Sequence, residues 1–267
     1  MNVKLLAHTQ LSEEFADYIY EINPTIDDIV TERVSDGQAV ALTAIRTCYS
    51  PGLPSEIVAK EGAKYFGAKA TDGKAGTEAD RLFRMIVSSG HTSTLEHLSF
   101  TFAIEGVSRA LLAQLTRHRV GFSFSVQSQR YVRFGSGDRS GGMSYVVPDT
   151  VQEGGKQTHF QRRKMTGGVD YGFASDVFRE AMDNAQYYYD KLREAGIPAE
   201  DARAVLPNAA ATNLVMTVNL RGLLEFYSKR KPGNGAQKEI ADLATELKNA
   251  VIAVEPWTAQ FFESEAK

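Results

Sequence analysis

Apolar residues alternate with small or polar residues along one short stretch of the chain, and this pattern restricts the fold more than any other feature. The apolar positions are Leu98, Phe100, Phe102 and Ile104. Because successive side chains of a strand point to opposite faces, a period of two predicts a strand with one buried face. Such a strand needs partners, and the apolar runs at 3–6 and 214–218 are candidates. The chain is therefore expected to form a sheet.

Three later segments carry apolar residues at the three- and four-residue spacing of a helix. The apolar face of the longest comprises Val177, Ala181, Ala185, Tyr188 and Leu192. Gly196 and Pro198 follow it, as is typical of helix ends. The second has the apolar residues Ile240, Leu243, Ala244, Leu247 and Val251. With a shorter helix at 220–227, these segments predict an α+β fold that has an antiparallel or mixed sheet and flanking helices.

The chain is about as long as a chain that folds around a single hydrophobic core can be. For 267 residues, we expect a single domain, 1–267, with surface insertions. Two stretches rich in glycine and polar residues, near 135–142 and 154–168, are interpreted as these insertions. The sequence contains no internal repeat that would suggest a second core.

Charge and cysteine content exclude several classes of protein. A net charge of -3 argues against a protein that coats nucleic acid. The lone Cys48 excludes an intramolecular disulfide, and no Cys/His spacing resembles a zinc site. No apolar segment approaches the roughly 20 residues of a membrane helix, and the pattern of a signal peptide is absent. We therefore expect a cytoplasmic protein with no metal centre, no membrane association and no nucleic-acid partner.

The stretch 106–137 contains no Asp or Glu but is rich in arginine. Its basic residues are Arg109, Arg117, His118, Arg119, Arg130 and Arg133. Such charges repel one another unless an anion joins them, and guanidinium groups with serine hydroxyls suit phosphate oxygens. Each charge-assisted hydrogen bond of this kind contributes roughly 1.5 to 3 kcal/mol. An anion site is predicted here, and ion pairing of these arginines with acids elsewhere in the chain remains the alternative.

A second basic group follows the predicted strand at 214–218. Asn219 and Arg221 come at the strand end, where the first turn of a helix at 220–231 would present free backbone N–H groups to a phosphate. A run of basic residues at 229–231 ends the same helix, where cations complement the helix dipole. The segment thus combines a candidate anion site with an ordinary stabilising feature.

Two short motifs connect these basic groups to a known family. The order Arg117-His118-Arg119, a spacer, then Ser128-Gln129-Arg130-Tyr131 resembles the signature of the flavin-dependent thymidylate synthases, which is Arg-His-Arg, seven residues, then Ser. Further segments match that family in the expected order: His91 to His97, Gln114, Ala202 to Pro207, Asn219 to Arg221, Arg230, and Pro256 to Thr258. The resemblance extends over most of the chain.

This resemblance implies an enzyme that converts dUMP to dTMP by reductive methylation. Methylene-tetrahydrofolate would donate the carbon, and hydride would be delivered through FAD that NADPH has reduced. The resemblance also implies a homotetramer with its sites at subunit interfaces, and a flavin held without a Rossmann unit. The Gly-Ser-Gly at 135–137 is consistent with this, because no third glycine completes a dinucleotide fingerprint.

The resemblance also implies roles for individual residues. The FAD site would comprise His91, Ser93, Arg117, His118, Arg119, Gln127, Asn219, Arg221 and Glu225. The dUMP site would comprise Gln114, Arg117, Gln127, Ser128, Gln129, Arg130, Arg203 and Arg230. Arg230 would be the catalytic residue, because it matches the arginine that faces the uracil ring and polarises it.

The sequence departs from the family pattern at several positions. The spacer within the signature holds eight residues, so one position between Val120 and Gln127 is expected to bulge. The acidic or amide residue of that spacer is assigned to Gln127 in preference to Val126. Glu225 replaces an Asn or His, and Asn234 stands near where some members carry His.

Three alternatives remain open. A nucleic-acid-binding module would stack bases on Phe122, Phe124 and Tyr131, although the negative net charge argues against it. A subunit that binds nucleotide without catalysis would explain the eight-residue spacer. Cys48 would be a covalent nucleophile in a route like that of the other, unrelated thymidylate synthases, but a buried structural cysteine is the favoured interpretation.

Overall fold

The structure is a computed structural model that describes residues 1–26, 34–152, 155–160 and 170–263. The chain divides into two compact units. Unit 1 contains Met1–Asn2, Ile104–Arg117 and Ser125–Leu214, and unit 2 contains Val3–Ala103, His118–Phe124 and Val215–Lys267. The single domain expected from the length stays a prediction.

The main sheet has four strands. They are β1 (Asn2–His8), β2 (Ser99–Ser108), β3 (Phe122–Val126) and β6 (Ala211–Asn219). Their order is β1–β2–β6–β3, and neighbouring strands run antiparallel. A separate two-stranded antiparallel sheet pairs β4 (Gln157–Phe160) with β5 (Asp170–Phe173). The predicted α+β fold is confirmed, and its sheet is antiparallel.

Strand β2 has the alternation that the sequence predicts. Phe100, Phe102 and Ile104 are at most 1% exposed, whereas Ser99 points to the opposite face and is exposed. The strand continues to Ser108, beyond the predicted end, and the Arg109 N–H that follows it donates to the Ala210 carbonyl (3.0 Å) just before β6.

Ten α-helices lie before, between and after these strands in the described part of the sequence. Those of unit 2 are α1 (Glu13–Ile22), α2 (Asp36–Thr47), α3 (Ile57–Phe66), α4 (Glu78–Ser88), α8 (Leu220–Arg230), α9 (Lys238–Val254) and α10 (Ala259–Glu263). Those of unit 1 are α5 (Arg109–Leu115), α6 (Ala174–Glu194) and α7 (Ala199–Ala202). Short 3-10 turns occupy Pro54–Glu56, Thr92–His97, Asp149–Val151, Arg203–Val205 and Pro256–Thr258. The three predicted helices correspond to α6, α8 and α9.

The predicted buried face is correct for α9 but wrong for α6. All five apolar residues predicted for α9 are buried. In α6, however, Val177 is 38% and Tyr188 is 52% exposed, while Met182 and Tyr189 are buried. The buried face is rotated because Tyr189 enters a small core beside Phe134, whose N–H donates a hydrogen bond to the Tyr189 hydroxyl (3.2 Å).

The glycine-rich stretch at 135–142 is tied to α6 by polar contacts. The Ser136 hydroxyl donates to the Asp190 carboxylate (2.6 Å), and the Met143 N–H donates to the Gln186 side-chain oxygen (2.6 Å). These bonds fix both ends of the stretch against one helix. Most of the second insertion, 154–168, lies outside the described residues.

A buried carboxylate in unit 2 connects the end of α9 to the start of α2. Glu255 is 1% exposed and accepts hydrogen bonds from the Ser35 hydroxyl, the Gly37 N–H (3.1 Å) and the Trp257 indole N–H (2.6 Å). A β-carbon at Gly37 would lie 2.4 Å from a Glu255 oxygen, so the approach requires glycine. The carboxylate also lies at the positive end of the α2 dipole, which stabilises its charge.

Replacement of this carboxylate tests its contribution to stability. We expect Glu255→Gln to lower the free energy of unfolding by about 2 to 4 kcal/mol, because it removes a charge that three buried donors require. Glu246→Gln, at an exposed position of α9, is the matched control and should change it by less than about 0.5 kcal/mol. Urea unfolding measures both variants, and equal stabilities would contradict the interpretation.

Candidate functional site

A tight turn leads from the Arg-His-Arg segment into β3. Gly121 in this turn has a φ of +76°, a conformation that favours glycine. The Asn219 N–H donates to the Gly121 carbonyl (3.0 Å), and the Gln127 N–H donates to the Asn213 carbonyl (2.8 Å). Both bonds belong to the same antiparallel register, because the residue numbers of the two pairs have the same sum. The bulge expected in the eight-residue spacer is therefore absent from the strand. That prediction is wrong, because the turn accommodates the chain and leaves the β3 pairing regular.

Asn219 lies where β6 ends and α8 begins. Its side-chain oxygen accepts the Gly222 N–H (2.8 Å) and so caps the helix. A β-carbon at Gly121 would lie 2.6 Å from this same oxygen, so the turn and the cap fit together only with glycine at that position. Arg221 lies in the first turn of α8, as the sequence predicts.

Four predicted site residues of unit 2 form what we term the α8 cluster. They are His118, Arg221, Glu225 and Arg230. The Arg230 Nε donates to His118 Nε2 (3.2 Å), although the two residues are 112 positions apart in the sequence. The imidazole also packs edge-on against Phe226, with 4.9 Å between ring centroids. The structure thus brings the predicted catalytic arginine into contact with the Arg-His-Arg motif.

Arg221 of the α8 cluster forms an ion pair with Glu96, an acid that no sequence pattern indicated. Its Nη1 lies 2.5 Å from Glu96 Oε1, and both side chains are substantially exposed. Glu96 belongs to the turn Thr92–His97, which packs against α8 and also carries the predicted Ser93. An exposed pair of this kind contributes only about 0 to 1 kcal/mol, so Arg221 remains able to exchange its partner.

Glu225 of the α8 cluster bonds to Lys229 one helical turn later (2.5 Å). This bond lowers the pKa of the Glu225 carboxyl from its usual value, against a smaller opposing effect of burial. The neighbouring positive charge of Arg221 acts in the same direction. The group is therefore a carboxylate at neutral pH, and its contact with FAD stays a prediction.

The predicted flavin residue His91 contacts a tyrosine. The Tyr49 hydroxyl lies 3.1 Å from His91 Nδ1, and the two rings are nearly perpendicular, with 6.2 Å between centroids. Tyr49 follows Cys48, whose thiol is exposed at the end of α2. The expectation that Cys48 is buried is wrong, because the helix ends at the surface there.

In unit 1, several predicted dUMP residues form what we term the α7 cluster. It comprises Ser128, Arg130, Glu200 and Arg203. The Arg130 guanidinium pairs with the Glu200 carboxylate, and Arg203 Nε donates to the Glu200 carbonyl (2.9 Å). The Arg130 N–H donates to the Ser128 hydroxyl (3.2 Å). Glu200 thus contacts both arginines, one through its carboxylate and the other through its carbonyl.

The predicted glutamines have different environments. Gln127 accepts a hydrogen bond from the Asn213 amide (3.0 Å), and Gln114 donates to the Ala110 carbonyl within α5 (3.4 Å). Gln129 is 6% exposed, and its Nε2 has no hydrogen-bond partner among the described residues. A buried donor without a partner costs about 1 to 3 kcal/mol, so a bound ligand that accepts this bond would be favoured.

Glu96, Glu200 and Tyr49 were not identified from the sequence. One signal was present for Glu200, which precedes Arg203 by three residues and so lies on the same side of a helical turn. The possibility that the arginines pair with acids elsewhere in the chain is correct for Arg130. Arg117 and Arg119 are exposed.

Within the described ranges, no group of three or more His, Cys, Asp or Glu side chains is arranged to hold a metal ion. No helix in that part of the chain has the length and apolar character needed to cross a bilayer. The predicted site residues themselves carry guanidinium, amide, hydroxyl and imidazole groups, which suit anionic organic ligands.

Comparison with known structures supports the fold. A UMP/dUMP methylase, PolB, from Streptomyces cacaoi superposes with a TM-score of 0.62 at 22% identity, over 98% of this chain and 93% of that one. The flavin-dependent thymidylate synthase ThyX from Helicobacter pylori, solved with FAD and dUMP, superposes with a TM-score of 0.59 at 24% identity, over all of both chains.

Sequence comparison identifies the family. Residues 29–257 match the family model described as thymidylate synthase complementing protein. The flavin-dependent thymidylate synthase of Geobacter sulfurreducens is 38% identical over 225 residues, which is 84% of this chain and 82% of that protein. The enzyme of the same name from Clostridium tetani is 33% identical over 241 residues, with the same coverage. The chain belongs to the flavin-dependent thymidylate synthase family.

Proposed function

We propose that this protein is an FAD-dependent thymidylate synthase that methylates dUMP to dTMP. Methylene-tetrahydrofolate is the carbon donor and NADPH is the reductant of the flavin. The observation that carries the proposal is the contact between Arg230 and His118. It joins the predicted catalytic residue to the motif on which the family resemblance rests.

The α8 cluster and its surroundings fit a flavin nucleotide. Arg221 in the first turn of α8 and the Arg-His-Arg segment offer cationic donors, and the helix N-terminus adds backbone N–H groups that suit a pyrophosphate. We assign FAD to His91, Ser93, Arg117, His118, Arg119, Gln127, Asn219, Arg221 and Glu225. Bound there, FAD would supply the hydride for reduction of the transferred carbon.

The α7 cluster fits the phosphate of dUMP. The Arg130–Glu200 pair is about half exposed, so it is weak, and a phosphate dianion can replace the carboxylate as the partner of the guanidinium. The buried Gln129 amide provides a further donor. We assign dUMP to Gln114, Arg117, Gln127, Ser128, Gln129, Arg130, Arg203 and Arg230.

Arg230 supplies the electrostatic contribution to catalysis. Methylation at C5 requires a nucleophilic uracil ring, and negative charge develops on the O2 and N3 edge as that ring becomes activated. A guanidinium that donates hydrogen bonds to this edge stabilises the charge. Because arginine stays protonated, the stabilisation persists throughout the physiological pH range.

We also propose that the chain is a single-domain cytoplasmic enzyme that assembles as a homotetramer with its sites at subunit interfaces. The exposed face of α6 supports self-association. Val177, Ala181 and Tyr188 lie along one apolar face of this helix, and all three are exposed. An apolar helix face is usually covered, here by another subunit.

The absorption spectrum of the purified protein tests the proposal first. We expect the bands of oxidised flavin, and we expect NADPH to bleach them when dUMP is present, because the reductive step requires reduced FAD. A colourless protein that takes up no added FAD would contradict the proposal. A yellow protein that bleaches but forms no dTMP would favour a nucleotide-binding subunit without catalysis.

Replacement of Arg230 tests the catalytic assignment. Arg230→Ala should lower the rate of dTMP formation by about 10² to 10³, the effect of removing one preorganised donor, while FAD affinity stays near that of the wild type. Lys231→Ala removes the adjacent positive charge and should change the rate by no more than about twofold, well within the effect of a screened surface charge. Similar rates for the two variants would exclude Arg230 as the catalytic residue.

Gly121→Ala tests the link between the turn and the flavin site. The added methyl group would displace the Asn219 side chain, so we expect FAD affinity to fall about tenfold, equivalent to the loss of one hydrogen bond. Gly73→Ala is the matched control, because Gly73 has nearly the same φ (+75°) but open space around it. FAD titration by fluorescence measures both, and equal affinities of the two variants would contradict the link between the turn and the flavin site.

A further inference from the structure

The contact between His118 and Arg230 restricts the protonation state of the imidazole. Arginine has five N–H donors and no acceptor, so in the 3.2 Å contact between Arg230 Nε and His118 Nε2 the histidine nitrogen must accept. An imidazole nitrogen that accepts carries no proton. His118 is therefore neutral in this arrangement, with its proton on Nδ1.

Aromatic neighbours hold the His118 ring in one orientation. Phe226, which is fully buried on α8, meets it edge-on at 84° with 4.9 Å between centroids. Phe122 at the start of β3 contacts it at 45° with 6.0 Å between centroids. These rings resist rotation of the imidazole, so the accepting nitrogen stays directed at the guanidinium.

We propose that His118 is a positioning residue for Arg230. Its neutral imidazole accepts the Nε–H and so orients the guanidinium plane, which leaves the four terminal N–H groups of Arg230 for the substrate. This role is additional to the flavin contact that the family resemblance implies for His118. It rests on the proposed function, in which Arg230 serves the uracil ring.

The substitutions His118→Phe and His118→Gln separate the role of the acceptor from that of the ring. His118→Phe keeps an aromatic ring against Phe226 but has no acceptor, whereas the side-chain oxygen of His118→Gln can take the place of Nε2. We expect His118→Phe to lower kcat for dTMP formation about 10- to 100-fold, the value of a hydrogen bond to a charged group, and His118→Gln to recover most of the loss. All rates are measured at saturating FAD, with FAD affinity determined separately for each variant.

A double-mutant cycle with Arg230→Ala shows whether His118 acts through the arginine. If it does, His118→Phe should change kcat by less than about twofold once Arg230 is absent. An equal fall in kcat in both backgrounds, or a His118→Gln variant no more active than His118→Phe, would overturn the positioning role. Loss of FAD affinity alone, with kcat preserved, would overturn it as well.

A measurement without substrate keeps this proposal separate from the proposed function. The ¹⁵N resonance of His118 Nε2 in histidine-labelled protein should be that of an unprotonated acceptor nitrogen, and it should shift in Arg230→Ala. A protonated Nε2, or a resonance that Arg230→Ala leaves unchanged, would overturn the positioning role whatever the activity. A wild type that forms no dTMP but has the expected resonance would contradict only the proposed function.

Discussion

Asn219 connects a strand to a helix, and much of the structure depends on how its groups are bonded. Its N–H pairs β6 with the Gly121 carbonyl, and its side chain caps α8. One residue therefore sets both the end of a strand pairing and the first turn of a helix. Because α8 is one continuous helix, its start also determines where Arg221 and Arg230 lie, one at each end of the helix. The geometry of the α8 cluster therefore depends on this junction between β6 and α8.

The two clusters use different physical means to hold their cations. In the α8 cluster, a neutral imidazole accepts the Arg230 Nε–H, and the buried ring of Phe226 packs against that imidazole. In the α7 cluster, Glu200 retains Arg130 through charge in an exposed setting. The first arrangement suits a group that must keep one orientation during chemistry. The second suits a group that must release its own partner before it can bind an anion.

The sequence was most informative where one local pattern decided the structure. Period-two alternation identified β2, and helical spacing identified α9 with the correct buried face. The face of α6 was wrong because the Tyr189 hydroxyl has a backbone partner, which lets a polar aromatic ring enter the core while Tyr188 stays outside. Helical spacing alone does not contain that information.

Such local patterns do not predict contacts between distant parts of the chain. Motif resemblance selected His118 and Arg230 separately, but their hydrogen bond depends on the tertiary fold. Glu200 and Glu96 were missed for the same reason, since each meets its arginine across many positions of sequence.

The exposed Arg130–Glu200 pair has a consequence for behaviour at different ionic strengths. Binding of a phosphate to Arg130 exchanges one anionic partner for another, so the electrostatic gain is the difference between two attractions. Dissolved salt screens both attractions. Their difference therefore varies less with salt than the affinity of an unpaired guanidinium would. An acid beside a phosphate-binding arginine can in this way keep ligand affinity steady when the salt content of the surroundings changes.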